Sequence, residues 1–238
     1  MGQPVSGKQC RWHAMADEQA LQLAALDSIL TSAARAIDER GQFHLVLAGG
    51  HTPRAIYQRL CAAETDWSAW RIYYGDERCL PPEDLARNSR MAAAAWLDHV
   101  PITPLHLHAI PAELGALQAA SIYAATLKTV GEFDLVLLGL GEDGHTASLF
   151  PDHEWGAAPG SPDTLAVFDA PKPPAQRVSL SAARFSRARK VIFLVSGASK
   201  QHAVAAWRAG RNIAARAVAP AAGVDVLVES VLLVTLPS

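Results

Sequence analysis

The chain has 238 residues, half of them apolar, and 21 basic against 23 acidic residues leave a net charge of −2. This length can bury a substantial core, and the near balance of charge excludes the strong field that recruits nucleic acid or an anionic membrane. We therefore expect one domain over residues 1–238, with residues 1–14 as a flexible lead-in. Its expected partner is a small molecule, with no nucleic acid and no membrane.

The cysteines and the lack of long apolar runs bear on the compartment. No apolar run approaches the ~18 residues of a membrane span, and the first residues lack the apolar segment of a secretory signal. Cys10, Cys61 and Cys79 are odd in number and widely spaced, which is typical of reduced thiols. We expect a cytoplasmic protein that is a monomer or a weak homodimer, since no exposed apolar stripe stands out.

Strand-length apolar runs alternate with amphipathic helical stretches along the chain. This pattern predicts an α/β fold with an open, mainly parallel sheet and helices on both faces. Helices are predicted, in chain order, at 16–40, 53–64, 88–100, 112–130 and 200–210. Strands are predicted at 43–48, 70–75, 105–110, 133–140, 164–169, 177–181 and 190–197, before a last apolar stretch at 224–236. Residues 151–176 form a proline-rich insertion.

The loops after the strands are where a parallel sheet binds its ligands, and the first of them reads GGHTP. Thr52 suits a helix N-cap and Pro53 the position after it. Gly49 and Gly50 also allow a close backbone approach, so the loop and the helix that follows could bind an anion. No GK[ST] follows, and a nucleoside triphosphate is therefore not indicated.

Charged residues follow two further strands. The loop GDERCLPP places Asp76, Glu77 and Arg78 side by side before a rigid double proline, which would hold their side chains in fixed directions. The loop SGASK carries Lys200 at the start of a predicted helix, where its ammonium could close on the anion of the first loop. His106 and His108 could face one side of a strand, but without a third ligand nearby we expect no metal.

The sequence GLGEDGHTASLFP follows an apolar strand and satisfies G-x-G-x-x-G. A dinucleotide is not expected there, because Glu142 and Asp143 would repel the pyrophosphate and Pro151 leaves room for only about two helical turns. Asp143 and His145 instead suit acid/base chemistry, with the carboxylate orienting the ring. The alternative is structural, with Asp143 capping a short helix.

Five segments together resemble the 6-phosphogluconolactonase family, within the larger group that also holds glucosamine-6-phosphate deaminases. These segments are LAGGHTP, YYGDERCLPP with Asn88 and Ser89 downstream, GLGEDGHTASLFP, PKPPAQRVSLS and LVSGASK. The resemblance runs in the expected order from about residue 43 to 203. It implies hydrolysis of 6-phospho-D-glucono-1,5-lactone to 6-phospho-D-gluconate in the pentose phosphate pathway, without a metal or organic cofactor, on a modified Rossmann-like fold.

The resemblance also implies roles for individual residues. His145 would be the general base on water. From the chemistry of lactone hydrolysis we expect Asp143, or the competing Asp76, to orient it, and Arg78 or backbone amides to stabilise the oxyanion. Arg177 would lie near the substrate. The residues that would hold the phosphate are Gly49, Gly50, Thr52 and Lys200, with His51 standing where the family often has Ser.

Two other functions remain open on the sequence. The deaminase motif has a Glu five residues after the His, where this chain has Phe150, so the ring-opening acid of a deaminase is missing. A non-catalytic sugar-phosphate sensor would be expected to have a damaged site, and the presence of Asp143, His145 and Arg78 is an argument against it.

Overall fold

The computed structural model describes residues 10–234, and the expected lead-in at residues 1–9 lies outside the described part. Within that part there are ten strands: β1 (Cys10–Met15), β2 (Phe43–Leu47), β3 (Trp70–Tyr74), β4 (Asp76–Arg78), β5 (Leu107–His108), β6 (Leu135–Gly139), β7 (Thr164–Val167), β8 (Arg177–Leu180), β9 (Val191–Val195) and β10 (Val224–Glu229). Seven of them form a parallel sheet in the order β1-β10-β9-β6-β2-β3-β5. The others form an antiparallel sheet, β4-β8-β7.

Helices cover both faces of the parallel sheet. The α-helices of the described residues are α1 (Glu18–Arg40), α2 (His51–Leu60), α3 (Asn88–Ala95), α4 (Ala116–Leu127), α5 (Ala182–Ser186), α6 (Gln201–Arg208) and α7 (Ala214–Ala217). The chain crosses the sheet in one direction from β1 through β2 and β3 to β5, and in the other through β6 and β9 to β10. Since parallel crossovers are right-handed, α1 to α3 lie on one face and α4 to α6 on the other. The predicted α/β class is confirmed.

Local sequence explains where the longest helix begins and ends. The Asp17 carboxylate accepts a hydrogen bond of 2.7 Å from the amide of Ala20 at the start of α1, and Gly41 ends the helix with a left-handed φ of 73°. The central strands β2, β6 and β9 are almost wholly buried, as apolar strands covered on both faces must be. Within residues 10–234, no helix combines the length and apolarity needed to cross a bilayer.

The topology creates a crevice between two neighbouring strands. β2 pairs with β6, and the connections that leave these two strands run in opposite directions across the sheet. Ligands of open α/β sheets bind at such a switch point, beyond the carboxyl ends of the strands. The loop that follows β2 carries Gly49, and the loop that follows β6 carries His145. These two loops therefore meet at one edge of the sheet.

The first described strand corrects the prediction of a lead-in through residue 14. β1 pairs in parallel with β10 at the edge of the sheet, and Arg11 and His13 both contact the Asp225 carboxylate, at 2.7 and 2.9 Å. Trp12 packs edge-on against Trp207, with ring centroids 5.3 Å apart. An edge strand needs little apolar patterning, so the largely polar sequence CRWHAM does not predict a strand.

The predicted loop at residues 76–78 is also wrong, because these residues form β4. The charged sequence DER pairs with β8, and Arg78 lies opposite Arg177. The second sheet therefore carries residues of two separate motifs to the same edge of the molecule. Its third strand, β7, comes from the proline-rich insertion, where a short strand was expected.

Candidate active site

A pocket of about 460 Å³ occupies the crevice at the switch point. This volume suits a small molecule. The residues predicted for the site that line the pocket are Gly49, Gly50, Asp76, Arg78, His145, Arg177 and Lys200. Polar or aromatic lining residues that were not predicted for the site are Asn88, Phe150 and Lys172. The structure therefore brings together segments that are far apart in the sequence.

The glycine loop after β2 forms one end of the pocket. A Cβ atom on Gly49 would lie 2.0 Å from Oδ1 of Asn88, so only glycine allows the loop to approach that side chain. Gly50 has a φ of 111° and caps α2 without a side-chain hydrogen bond to the first amides of the helix. Backbone amides at a helix N-terminus favour an anion.

Two residues predicted to bind the ligand from this loop, His51 and Thr52, direct their side chains away from the pocket. Helix α2 begins at His51, so the N-cap is Gly50 and the predicted capping role of Thr52 is wrong. The Thr52 hydroxyl donates to Oε1 of Glu18 at 2.9 Å and lies 2.6 Å from the Ser196 hydroxyl, away from the lining of the pocket. The side chain of His51 is 83% exposed and its Nδ1 lies 3.4 Å from the Glu18 carboxylate. Neither side chain contributes to the pocket surface in this structure.

His145 faces the pocket with one ring nitrogen already bound. Its Nδ1 lies 2.6 Å from Oδ1 of Asp143, and the same oxygen accepts the backbone amide of His145 at 3.0 Å. An ionised carboxylate can only accept, so Nδ1 carries the hydrogen and Nε2 is left with a free lone pair. Burial alone raises the pKa of Asp143, but the hydrogen bonds and charge of His145 outweigh it and hold that pKa below its usual range.

The loop that carries His145 is a series of turns, so the short helix considered after Gly144 is wrong. A Cβ atom on Gly141 would lie 2.0 Å from Nδ1 of His145, which explains the glycine at this position. Phe150 is buried beside the imidazole, with ring centroids 4.8 Å apart, and its carbonyl accepts a hydrogen bond of 2.6 Å from Trp155. The ring of His145 is thus fixed by a carboxylate on one side and a phenyl ring on another.

Asp76 has other partners than His145. Its Oδ2 accepts a hydrogen bond of 2.6 Å from the Ser148 hydroxyl, and its Oδ1 accepts one of 3.0 Å from the Asn88 amide. The two carboxylates that the sequence offered as orienting groups are therefore distinct in geometry. Asp143 contacts the imidazole and Asp76 does not.

Two arginines lie side by side on the pocket wall. Arg177 is 6% exposed, donates through Nη2 to the Lys172 carbonyl at 2.8 Å, and has its guanidinium 5.5 Å from the centre of the Phe150 ring. Burial lowers the pKa of Arg177 from its ordinary value. Arg78 donates to the Ala86 carbonyl, while its buried Nε has no acceptor among the described residues. A buried donor without a partner is rare in proteins. Arg78 also lines the pocket, which makes its guanidinium a candidate for contacting a bound anion.

The two lysines of the pocket come from the loops after β9 and β7. Lys200 lies at the end of a 3₁₀ turn, Ala198–Lys200, that leads directly into α6. Lys172 belongs to the insertion, and its backbone carbonyl is held by Arg177. In the part of the chain that is described, no three His, Cys, Asp or Glu side chains are grouped so as to hold a metal ion.

The residues that sequence reasoning missed had only weak signals. Asn88 stands in an ordinary helical sequence, Ser148 among small residues, and Lys172 in a proline-rich stretch. Only their partners across the fold give them a place in the site. GDER and the downstream Asn-Ser pair belong to one of the five segments that resemble the family, but this pattern does not reveal the contact between Asp76 and Asn88.

Comparison with known proteins gives a consistent result. The family model described as glucosamine-6-phosphate isomerases/6-phosphogluconolactonase matches residues 16–232. A 6-phosphogluconolactonase of Synechocystis is 40% identical over 79% of this chain and 80% of its own length. One from Streptomyces coelicolor is 36% identical over 87% of this chain and 85% of its own.

A solved structure extends the comparison to the fold. The 6-phosphogluconolactonase of Thermotoga maritima superposes with a TM-score of 0.85 at 22% identity, covering 93% of this chain and all of that one. At such identity the likeness concerns the fold. Since the family model spans nearly the whole described chain and two relatives exceed a third identity over most of their length, the chain belongs to the glucosamine-6-phosphate isomerase/6-phosphogluconolactonase family.

Proposed function

We propose that this chain hydrolyses 6-phospho-D-glucono-1,5-lactone to 6-phospho-D-gluconate, a step of the oxidative pentose phosphate pathway. The observation that carries the proposal is the imidazole of His145, whose Nδ1 is held by Asp143 while Nε2 is left free beside a cationic pocket. The relatives named 6-phosphogluconolactonase support the same activity. The chain is an enzyme of the carboxylic ester hydrolase class.

The geometry supports direct attack by water. None of the described residues that line the pocket is a serine, threonine or cysteine, so the lining offers no hydroxyl or thiol nucleophile beside His145. Nε2 of His145 removes a proton from water as its oxygen bonds to C1 of the lactone. The tetrahedral intermediate then breaks the bond between C1 and the ring oxygen, and the imidazolium returns its proton to that oxygen. A positioned base of this kind contributes ~10²–10⁴-fold.

Positive groups at two parts of the pocket suit the two charged parts of the reaction. The amides that follow Gly50, together with Lys200, suit the phosphate dianion. Arg78, which lines the pocket, suits the oxyanion that develops at C1. Loss of one oxyanion donor typically costs ~10²–10³-fold in kcat.

The deaminase reaction lacks a residue that it needs. It must protonate the ring oxygen of an amino sugar, and the position of the expected Glu is held by Phe150, which is 2% exposed and packs against His145. A phenyl ring donates no proton. Release of ammonia from glucosamine 6-phosphate at a rate comparable to lactone hydrolysis would contradict this assignment.

The decisive experiment measures turnover of the lactone. The substrate is generated in the cuvette by oxidation of glucose 6-phosphate, and loss of the ester is followed above the spontaneous rate. We expect saturable hydrolysis that His145→Ala reduces by about 10²-fold or more.

Controls separate the lactonase from a sugar-phosphate sensor. His202→Ala changes an exposed histidine on α6 and should leave the rate unchanged. A sensor would bind 6-phosphogluconate and give no hydrolysis above the spontaneous rate. Full activity in His145→Ala would exclude the base role.

We also propose that the protein acts in the cytoplasm as a monomer or weak homodimer. Its cysteines are unpaired, which suits a reducing compartment. Sedimentation of the purified protein over a range of concentrations tests the oligomeric state.

A further inference from the structure

Asp76 is an unusual residue for the pocket in which it lies. Among the described lining residues it is the one acid, and it stands with Arg78, Arg177, Lys172 and Lys200 in a pocket suited to a phosphate dianion. A carboxylate in that position repels the phosphate and also the carboxylate that hydrolysis produces. Its presence therefore calls for a part of the ligand that is neither of these.

The orientation of the Asp76 carboxylate is fixed from two sides. Ser148, which is 1% exposed, donates to Oδ2 at 2.6 Å, and Asn88, which is 5% exposed, donates to Oδ1 at 3.0 Å. Asn88 is itself fixed, since its backbone amide donates to the buried Glu77 at 2.8 Å. Each oxygen of a carboxylate accepts about two hydrogen bonds, so each retains capacity for one more.

Asp76 is not placed to assist the base. The Nδ1 of His145 is bound to Asp143, and the hydrogen bonds of Asp76 run instead to Ser148 and Asn88. What remains of a phosphosugar lactone, apart from its phosphate and its ester, is a set of ring hydroxyls. These hydroxyls are the donors that an oriented carboxylate accepts.

We propose that Asp76 is a specificity-determining residue that accepts a hydrogen bond from a ring hydroxyl of the sugar, and that Ser148 and Asn88 position it for this purpose. The proposal rests on the proposed lactonase function. A ligand without that hydroxyl fails to fill the remaining accepting capacity of the buried carboxylate, and sites built to bind a substrate hydroxyl discriminate against the deoxy analogue. We expect the enzyme to prefer the natural lactone over one of its deoxy forms by about tenfold or more.

The test compares kcat/KM for the natural lactone with that for the 2-, 3- and 4-deoxy lactones. For the wild-type enzyme, kcat/KM should be clearly lowest with one of these three deoxy lactones. In Asp76→Asn, which keeps the shape and can still bond to Asn88 and Ser148, the ratio of natural to deoxy should shrink by several-fold. Asp76→Ala should shrink it further, and Ser148→Ala should shrink it in part.

Asp143→Asn is the matched control. This variant also removes one carboxylate charge, but it acts through His145, so kcat should fall by the same factor on every lactone and the ratio should stay at the wild-type value. A merely structural role for Asp76 would likewise lower all rates together. Wild-type discrimination retained in both Asp76 variants, or no discrimination by the wild-type enzyme among the three, would overturn the proposal.

Binding measurements separate this proposal from the lactonase function itself. If the natural lactone were not hydrolysed at all, the lactonase proposal would fail. Calorimetric titration with 6-phosphogluconate and its deoxy forms would then still test Asp76. Weaker binding of one deoxy form to the wild type, lost in Asp76→Asn, supports the role, and equal binding of all forms overturns it.

Discussion

At the scale of single residues, the hydrogen bond of 2.6 Å between Asp143 and His145 sets the tautomer of the base. In Asp143→Asn the neutral amide can accept from Nδ1 or donate to it, so the hydrogen can move to Nε2 and remove the lone pair that faces the pocket. The imidazolium that forms during the reaction also loses its counter-charge. We expect kcat to fall by about 10²-fold or more, with little change in KM, in steady-state assays of the lactone.

Asp152→Asn provides a control for Asp143→Asn. Asp152 is exposed, lies nine residues further along the same loop region, and has a left-handed φ of 60° that asparagine adopts readily. The control changes the same charge without contacting the imidazole, and its kcat should match the wild type. Equal kcat values for the two variants would show that Asp143 does not orient the base.

At the scale of elements, the first backbone amides of helix α3 are capped by a carboxylate of strand β4. Glu77 of β4 is fully buried, and its two oxygens accept the backbone amides of Arg78, Asn88 and Ser89, each at 2.8 Å. In Glu77→Gln one oxygen becomes an NH₂ group, which cannot accept, so at least one buried amide loses its partner. We expect a loss of about 1–3 kcal/mol in the free energy of unfolding.

Urea denaturation followed by circular dichroism measures this loss. The matched control is Glu83→Gln. The side chain of Glu83 is 87% exposed, and its Oε2 lies 3.8 Å from Nε of Arg90, so the two groups form a loose surface ion pair. An exposed pair of this kind contributes little, and the control should stay within about 0.5 kcal/mol of the wild type. Equal unfolding free energies for the two variants would contradict a capping role for Glu77.

The apolar strands of the sheet could be predicted from the sequence because they are buried on both faces. FHLVL and VIFLV are continuous apolar runs, and the structure places both in the interior of the parallel sheet. The strands at Cys10–Met15 and Asp76–Arg78 could not, since one is an edge strand and the other consists of charged residues. Their pairing is decided by distant partners, β10 and β8, which local patterns do not reveal.

In the candidate site, too, the position of the loops could be predicted from the sequence, whereas the contacts between them could not. The convergence of the loops with Gly49, His145 and Lys200 followed from the rule for parallel sheets. The partners within the site did not, because Ser148 and Asp76 are separated by 72 residues. Sequence therefore left Asp143 and Asp76 as competitors for one role, and only the hydrogen bonds distinguish them.

At the scale of the whole molecule, one cluster of buried apolar side chains runs through the sheet and both helical layers. We propose that the chain unfolds as one domain, in a single cooperative transition. Three histidines at one side of this core make the transition sensitive to acid. His108 stacks on Tyr73 with centroids 4.6 Å apart, and His44 contacts the same ring. Burial lowers the pKa of His44, His106 and His108.

Lowered histidine pKa values fix the sign of the pH dependence. As the pH falls below about 6.5, the unfolded chain takes up more protons on these side chains than the folded chain does, so acid favours unfolding. The free energy of unfolding should fall between pH 7 and pH 5, before the carboxylates titrate. His108→Phe keeps the stacked ring without the titration and should flatten this slope, whereas His202→Phe, on the exposed face of α6, should not. Because urea midpoints at pH 7, 6 and 5 report the slope directly, parallel curves for wild type and His108→Phe would show that His108 is not one of the groups responsible.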